Sequence, residues 1–416
     1  MEKKLIGLLD CNNFFVSCER LFRPDLAQKP VIVLSSNDGC VVARSQEVKD
    51  IGIPMGVPYF QIKDTVQKYG IISFSSHFSL YRDISRRVFS VMREELDVVE
   101  QYSVDEAFFT ISTTEIKAIT NLKTRVERCV GIPVSIGVAS TKTRAKYVSS
   151  VAKKGSGFRV ILDDEWRTLA QEIPVGTIWG VGSRLETRYK EYQLHTVADV
   201  LRADVARLQK IFGVVGVRLQ QELAGVSVLP VCHRSAPQQT ITHTQSFRKV
   251  VRDMPVLADA VAYHVRRSAQ DLRSMGFKTK LIRVLLLPSR HGDFVLRGGS
   301  LEVALVEPTD DTTVLMSAAQ NILKQLFETG VPYQKAGVVL SVLSPASTAQ
   351  LSLFSSNLPD KTAALMRVID TVNADRGREL LQWGSRLQSA AWQARKDNRS
   401  PDYTTSWSDL VTAKAK

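Results

Sequence analysis

Tyr102-Ser103-Val104-Asp105-Glu106-Ala107-Phe108-Phe109 places two adjacent carboxylates, Asp105 and Glu106, inside an apolar stretch that would otherwise make an ordinary hairpin. Like charges side by side resist burial unless a cation neutralises them, and a divalent metal is the natural candidate. A further acid, Asp10, ends the apolar run Leu5-Ile6-Gly7-Leu8-Leu9, where a strand would deliver it to the edge of a sheet. If the hairpin pairs beside that strand, the three carboxylates converge. The plainer reading of Asp10 is as the N-cap of the helix that follows, since Asp is a favoured capping residue.

The chain around these acids has 416 residues, enough for about two to four domains with cores of their own. Lys and Arg number 55 against 42 Asp and Glu, a formal charge of +13 that favours a polyanionic partner. Nucleic acid fits this balance, and a membrane surface is the competing reading. No apolar run approaches the roughly 18 to 20 residues that cross a bilayer. Lys3-Lys4 and the short apolar run behind them are too brief for a signal peptide. A cytoplasmic protein is expected. The five cysteines include no C-x-x-C pair, so neither a disulfide frame nor a zinc knuckle is indicated, and the six scattered histidines read as core or surface residues.

In chain order, Leu5–Leu9 reads as a buried strand feeding a helix through Phe15, Val16, Cys18 and Glu19. Val31–Leu34 and Cys40–Ala43 read as strands and Glu47 and Lys49 as part of a short helix. Helical spacing of Ile84, Val88, Val91, Met92 and Leu96 predicts a helix from Tyr81 to Leu96. The acidic hairpin, a helix from Leu122 to Val130 and a strand from Val134 to Ala139 follow. Thr141–Lys154 is a basic helix with Lys142, Lys146 and Lys153 on one face; a solvated face is the ordinary explanation, but this helix leaves the same sheet as the acids. Val160–Leu162 reads as a closing strand. Together these elements indicate an α+β domain built on a mixed sheet.

From Pro174 the texture changes to short helices separated by glycines. Trp179-Gly180-Val181-Gly182 before a helix has the pattern of a helix-hairpin-helix, whose backbone N–H groups can hold a phosphate, and Phe212-Gly213-Val214-Val215-Gly216 repeats the idea. Such a segment grips duplex backbone without reading sequence. Leu229–Gln239 reads as a linker. Thr240–Phe247, Val256–Met275, Leu281–Leu287, Phe294–Val303, Thr312–Phe327 and Ala336–Leu343 then spell a β-α-β-β-α-β unit. Its flanks carry Arg248, Lys249, Arg252, Arg266, Arg267, Lys278, Lys280, Arg283 and Arg290, which suggests phosphate contact more than base stacking. Beyond Ser344, Gln350-Leu351-Ser352-Leu353-Phe354 lies in a Ser-rich stretch and reads as a docking peptide. The tail, with Trp383, Trp392, Tyr403 and Trp407, is too aromatic for plain disorder and is expected to pack.

Asp10-x-Asn-x-Phe-Phe, the Tyr-Ser-Val-Asp-Glu hairpin, Lys142-Thr-Arg-Ala-Lys146, Ala152-Lys153 and the paired hairpins resemble the Y-family translesion DNA polymerases over most of residues 5–345. Asn37–Arg44, Gln350–Phe354 and the tail Ser400-Pro401-Asp402-Tyr403-Thr404-Thr405 are similar, more narrowly, to the UmuC branch, the catalytic subunits of bacterial DNA polymerase V. The resemblance implies a right-hand polymerase: palm in residues 1–20 and 75–165, small fingers in 21–74, a helix-hairpin-helix thumb in 166–230, a linker in 231–239, a little finger in 240–345, and a clamp-binding peptide with a partner-binding tail in 346–416.

It implies attack of a primer 3′-hydroxyl on the α-phosphate of a dNTP, with two Mg²⁺ ions at the entering and leaving oxygens. Asp10 and Asp105 would bridge both ions, Glu106 would hold the one nearer the primer, and the Cys11 backbone carbonyl would complete the other. Lys49 and Lys153 would bind the triphosphate, and Phe15 would be the steric gate that rejects a 2′-hydroxyl. Gly180, Gly182, Gly213, Gly216, Arg248, Lys249 and Lys280 would contact primer-template DNA. Gln350, Leu351, Ser352, Leu353 and Phe354 would dock on the sliding clamp, and a processed UmuD-type dimer and a RecA filament are implied as further partners, with no membrane role. Two departures limit the transfer: Asn12 stands where many relatives have an acid, and Gln46 where they often have a tyrosine. Small residues at Gly39, Val41, Val42 and Ala43 would enclose the nascent pair loosely, so error-prone synthesis in SOS mutagenesis is expected. Rival readings are a non-catalytic DNA-binding scaffold of the same fold, which should lack an acid, and a palm-type nucleotide cyclase, which needs neither thumb nor basic little finger.

Overall fold

The computed structural model describes residues 4–232, 238–289, 299–348, 359–375, 380–381, 384, 392–394 and 396–412. The apolar run forms β1 (Lys4–Cys11), which is buried on both faces after its first residue and lies at the centre of a five-stranded sheet. A near-continuous apolar run is what such a position demands, because side chains alternate between two covered faces. Leu5, Leu9 and Cys11 point into one core while Ile6 and Leu8 point into another. Behind β1 come α1 (Phe14–Phe22), β2 (Val31–Leu34), β3 (Val41–Arg44), α2 (Gln46–Asp50), α3 (Lys63–Lys68), β4 (Ile72–Ser75) and α4 (Phe78–Glu95). The three strands β3-β2-β4 make a small separate sheet.

The acidic hairpin is β5 (Val99–Gln101) and β6 (Glu106–Ser112), followed by α5 (Ile116–Val130), β7 (Val134–Ala139), α6 (Lys142–Ala152) and β8 (Phe158–Val160). The main sheet has the order β5-β6-β1-β7-β8, antiparallel except for the β7–β8 pair. The closing strand therefore lies slightly earlier than the Val160–Leu162 reading. Two glycines allow the close packing. A Cβ on Gly7 would meet the Phe109 ring at 2.1 Å, and one on Gly137 would meet the Ser149 backbone nitrogen at 2.1 Å, so α6 lies almost on the strand beneath it.

The helical segment comprises α7 (Asp163–Leu169), α8 (Ser183–Glu191), α9 (Val197–Arg202) and α10 (Val205–Ala224). It has no separate core: Trp166, Tyr189, Val197 and Leu223 share theirs with Ile6, Leu8 and Phe108 of the sheet. Arg144 rivets this junction, donating to the Leu223 carbonyl at 2.7 Å, pairing with Asp163 at 2.6 Å and lying 4.9 Å from the Trp166 ring centroid. Gly213 breaks α10 with φ +66 and ψ −163, which gives the second hairpin its turn.

The β-α-β-β-α-β reading corresponds to β9 (Thr240–Val251), α11 (Met254–Ser274), β10 (Phe277–Pro288), β11 (Gly299–Thr309), α12 (Thr312–Leu326) and β12 (Tyr333–Pro345), arranged β11-β10-β12-β9 with all pairs antiparallel. Its helices pack together over one face and enclose an independent core. One basic flank residue is corrected here: Arg266 is buried, its guanidinium 5.5 Å from the Tyr263 ring centroid, on the face of α11 where Tyr263 and Asp259 pack against Trp392 of the tail. Beyond α13 (Pro359–Asp375), the tail divides between two cores. Trp392 is buried in the β9–β12 unit and donates to Asp259 Oδ2 at 2.7 Å, whereas Tyr403 is buried against the β1 core and stacks on Phe22 at 4.7 Å. Trp407 is 91% exposed. Trp383, Arg290 and the peptide Gln350–Phe354 fall outside the described residues.

Candidate active site

Strand register brings the acids together. Asp10 is the cross-strand partner of Glu106 in the β1–β6 pair, and the Cys11 N–H donates to the Asp105 carbonyl at 2.9 Å, so all three acids lie at one end of the sheet. Asp10 lies within β1 and caps nothing; the N-cap of α1 is Asn13, in the left-handed region at φ 48. The hairpin turn is tied by Ser103. Its hydroxyl donates to Asp105 Oδ1 at 2.6 Å and accepts from the N–H groups of Asp105 and Glu106 at 3.2 and 3.0 Å. Residues 102 and 103 close the turn by donating to the Glu106 carbonyl.

The lysines of α6 are not a solvated face. Lys153 Nζ lies 2.6 Å from Asp10 Oδ1, Lys146 Nζ lies 2.9 Å from Glu106 Oε2, and Lys142 Nζ lies 2.6 Å from Glu100. Lys142 is buried away from the three acids and is a structural pairing. Lys146 also rests 4.6 and 5.4 Å from the ring centroids of Tyr102 and Trp179, so its position is fixed from three sides. Asp10, Glu106, Lys146, Lys153 and Trp179 line one cleft.

Burial dominates the electrostatics of the site. Burial pushes the Asp10 carboxyl up to about 7, Lys153 opposes that rise, and Glu106 adds to it. Lys49, from α2, donates to Asn13 Oδ1 at 2.6 Å; burial lowers its pKa, with further lowering by Lys153 and an opposing pull from Asp10. Lys49, Lys153 and Asp10 thus feel one another although they come from separate elements.

Among the described residues, no three His, Cys, Asp or Glu side chains form a ready cage for an ion. The donor set nonetheless fits a hard divalent cation. Carboxylate oxygens are its preferred ligands, and the paired acids Asp10 and Glu106 are each held now by a lysine ammonium.

Phe15 stacks on Tyr81 with ring centroids 4.5 Å apart and planes 14° from parallel, and meets the edge of Phe78 at 6.0 Å. It projects from α1, the helix that β1 feeds. The other proposed contacts lie apart from this centre. Gly180, at φ +89, and Gly182, which precedes α8, are exposed. Gly213 forms the turn in α10. Gly216 is instead buried, because a Cβ there would meet Phe212 Cβ at 2.5 Å; it is a packing residue and offers no open surface. Arg248, Lys249 and Lys280 are exposed on β9 and β10.

Sequence reasoning missed three contributors as site residues. Ser103 is discoverable in hindsight as a hydroxyl two places before a turn acid, where it can close an Asx-like turn. Asn13 and Lys146 needed the register of distant elements.

Residues 9–150 match the impB/mucB/samB family, residues 238–353 match the impB/mucB/samB family C-terminal domain, and residues 363–413 match a domain of unknown function, DUF4113. Protein UmuC of Salmonella typhimurium strain LT2 is 35% identical over 99% of this chain and 100% of its own length. DNA polymerase IV 1 of Bacillus subtilis strain 168 is 25% identical over 97% of this chain and 98% of its own. Among solved structures, a Y-family DNA polymerase chimera of Dbh and Dpo4 superposes with a TM-score of 0.68 at 20% identity, covering 81% of this chain and 98% of that one.

Proposed function

Because the chain belongs to the impB/mucB/samB family, in its UmuC branch, we propose that it is a Y-family DNA-directed DNA polymerase that performs error-prone translesion synthesis by metal-dependent nucleotidyl transfer. The observation that carries this reading is the cross-strand pairing of Asp10 with Glu106, beside Asp105 and a row of cations. A non-catalytic scaffold has no need of such a costly cluster of acids. A cyclase has no need of the helical and basic units attached to it.

In this reading Asp10, Asp105, Glu106 and the Cys11 carbonyl would hold two Mg²⁺ ions, whose chemistry when bound is to activate the primer hydroxyl and neutralise the leaving pyrophosphate. Ser103 fixes the Asp105 carboxylate at the hairpin turn. Lys153 and Lys49 supply positive charge where the triphosphate enters, and Lys146 keeps Glu106 turned toward the same opening. Phe15 faces the sugar and excludes a 2′-hydroxyl. Gly180, Gly182 and the turn at Gly213 present backbone to the duplex, while Arg248, Lys249 and Lys280 supply phosphate contacts without sequence preference. The right-hand division stated from the sequence remains the working domain assignment. A processed UmuD-type dimer and a RecA filament are proposed as partners acting through the tail.

The direct test is primer extension past a template abasic site with Mg²⁺ and dNTPs, using the full chain with the partner proteins added or withheld. Nucleotide insertion opposite the lesion is expected. Complete inactivity in every combination, by a protein shown to bind the primer-template, overturns the reading.

Gln350–Phe354 is proposed to tether the enzyme to the sliding clamp, Leu353 and Phe354 entering an apolar pocket and Gln350 fixing the register. Replacing both Leu353 and Phe354 by alanine is expected to remove clamp-stimulated synthesis and leave basal extension within about twofold, since tethering acts through effective concentration. Equal loss of both activities rules the tether out.

A further inference from the structure

Phe15 is held between two helices, and one short piece of the tail touches both of them. On the α4 side, the Tyr81 ring that stacks on Phe15 is buried, and its hydroxyl donates to Glu19 Oε1 of α1 at 2.6 Å. One turn before Tyr81, His77 is buried under the tail. Its Nδ1 lies 3.0 Å from Ser400 Oγ and its Nε2 lies 2.9 Å from Asp402 Oδ1 and 2.8 Å from an Arg399 guanidinium nitrogen. On the α1 side, Tyr403 stacks on Phe22 with planes 8° from parallel. The tail also continues the edge of the small sheet: Ser75 N–H donates to the Asn398 carbonyl, and Asn398 N–H donates to Ser75 Oγ, each at 3.0 Å.

Inside this packing lies Glu19, a buried carboxyl whose pKa burial raises while the Tyr81 hydroxyl, the Ser400 hydroxyl and the Arg399 charge oppose that rise. The tail thus reaches the same carboxyl that ties Tyr81 to α1, and a buried carboxyl is costly to leave without such partners. The Tyr81 ring is the plate against which Phe15 rests, so a small change in the angle between α1 and α4 moves the Phe15 ring relative to the sugar of an incoming nucleotide.

We propose that residues 398–403 of the tail are a positioning element for nucleotide-sugar selection: Ser400 and Asp402, through His77, and Tyr403, through Phe22, clamp α1 against α4 and so fix the Tyr81–Phe15 stack. This rests on the reading of Phe15 as the steric gate. None of these tail residues reaches the acids or the nucleotide cleft lined by Asp10 and Lys153. Their effect is on where Phe15 stands, and so on the ribonucleotide-to-deoxynucleotide ratio, more than on turnover of the correct dNTP.

The test measures single-nucleotide insertion by the full chain on an undamaged primer-template, taking kcat/KM for a ribonucleotide and for its deoxy counterpart. Tyr403→Ala and Asp402→Asn are each expected to raise the ribo-to-deoxy ratio by about five- to tenfold, the scale expected when a contact group shifts by a fraction of an ångström. Tyr403→Phe, which keeps the stacked ring, is expected to restore the wild-type ratio, and Trp407→Ala, in the same tail but exposed, to leave it unchanged. In Phe15→Ala background, Tyr403→Ala is expected to add nothing, since the two act through one ring. An unchanged ratio in both tail variants overturns the proposal, as does an equal fall in both substrates' kcat/KM or a full additional effect in the Phe15→Ala background. If Phe15→Ala by itself leaves the ratio unchanged, the gate assignment fails, and a ratio shift confined to the tail variants then identifies that failure separately.

Discussion

Replacement of Asp105 by alanine is expected to lower primer extension by at least about a thousandfold, roughly 4 kcal/mol of lost transition-state stabilisation. The reason is positional as well as electrostatic. Asp105 is followed directly by Glu106, the register partner of Asp10, and its side chain is fixed by Ser103 at 2.6 Å, so no neighbouring group can swing in to replace it. Duplex binding should survive, because the exposed cations Arg248, Lys249 and Lys280 and the glycine hairpins lie on other elements. Primer extension and a DNA-binding titration on the same preparation separate these effects. Extension within about tenfold of the parent enzyme would remove Asp105 from the catalytic set. The stability cost should be modest, since Asp105 forms part of a turn and leaves no core cavity.

The second large effect is expected at Phe15. Its truncation to alanine should raise relative ribonucleotide insertion by about a hundredfold or more, about 2.7 kcal/mol of discrimination released, while insertion of the matching dNTP changes by much less. Steric rejection is lost with the ring, whereas the acids and lysines that handle the phosphates are untouched. The Tyr81 ring behind it remains anchored through Glu19 and cannot fill the vacated space without breaking a 2.6 Å hydrogen bond. The measurement is kcat/KM for paired ribo- and deoxynucleotides, and an unchanged ratio sinks the assignment.

Much of this was legible in the sequence because the important signals are local. The two-sided burial of β1 follows from five consecutive apolar residues, and the acidic pair announces itself by sitting in an apolar hairpin. The β9–β12 unit is legible in its alternation of strands and helices, although its third strand runs Gly299–Thr309 where the sequence suggests Phe294–Val303. What escaped depended on register and on distance along the chain. No local pattern shows that Lys142 is spent on Glu100 while Lys146 and Lys153, on the same helix, reach Glu106 and Asp10. Arg266 looked like one more surface cation because its neighbour Arg267 is also basic, and only the distant tail, with Trp392 seated against Tyr263 and Asp259, shows which face of α11 is covered. Gly216 matched a hairpin pattern but serves helix packing against Phe212. Glycine records that space is needed and does not record for what.

One consequence lies in the two anchors of the tail. Trp392 is set in the β9–β12 core and Tyr403 in the β1 core, and only ten residues of chain lie between them, eleven steps from one anchor to the other. Fully extended, that segment spans at most about 36 to 40 Å. While both aromatic anchors are seated it is a leash of fixed length, running parallel to the covalent connection that precedes β9. A body attached at two places can turn about the line joining them but cannot be carried far from its base. Any wider excursion must first pull one ring from its socket, and that makes the leash itself a mechanical fuse.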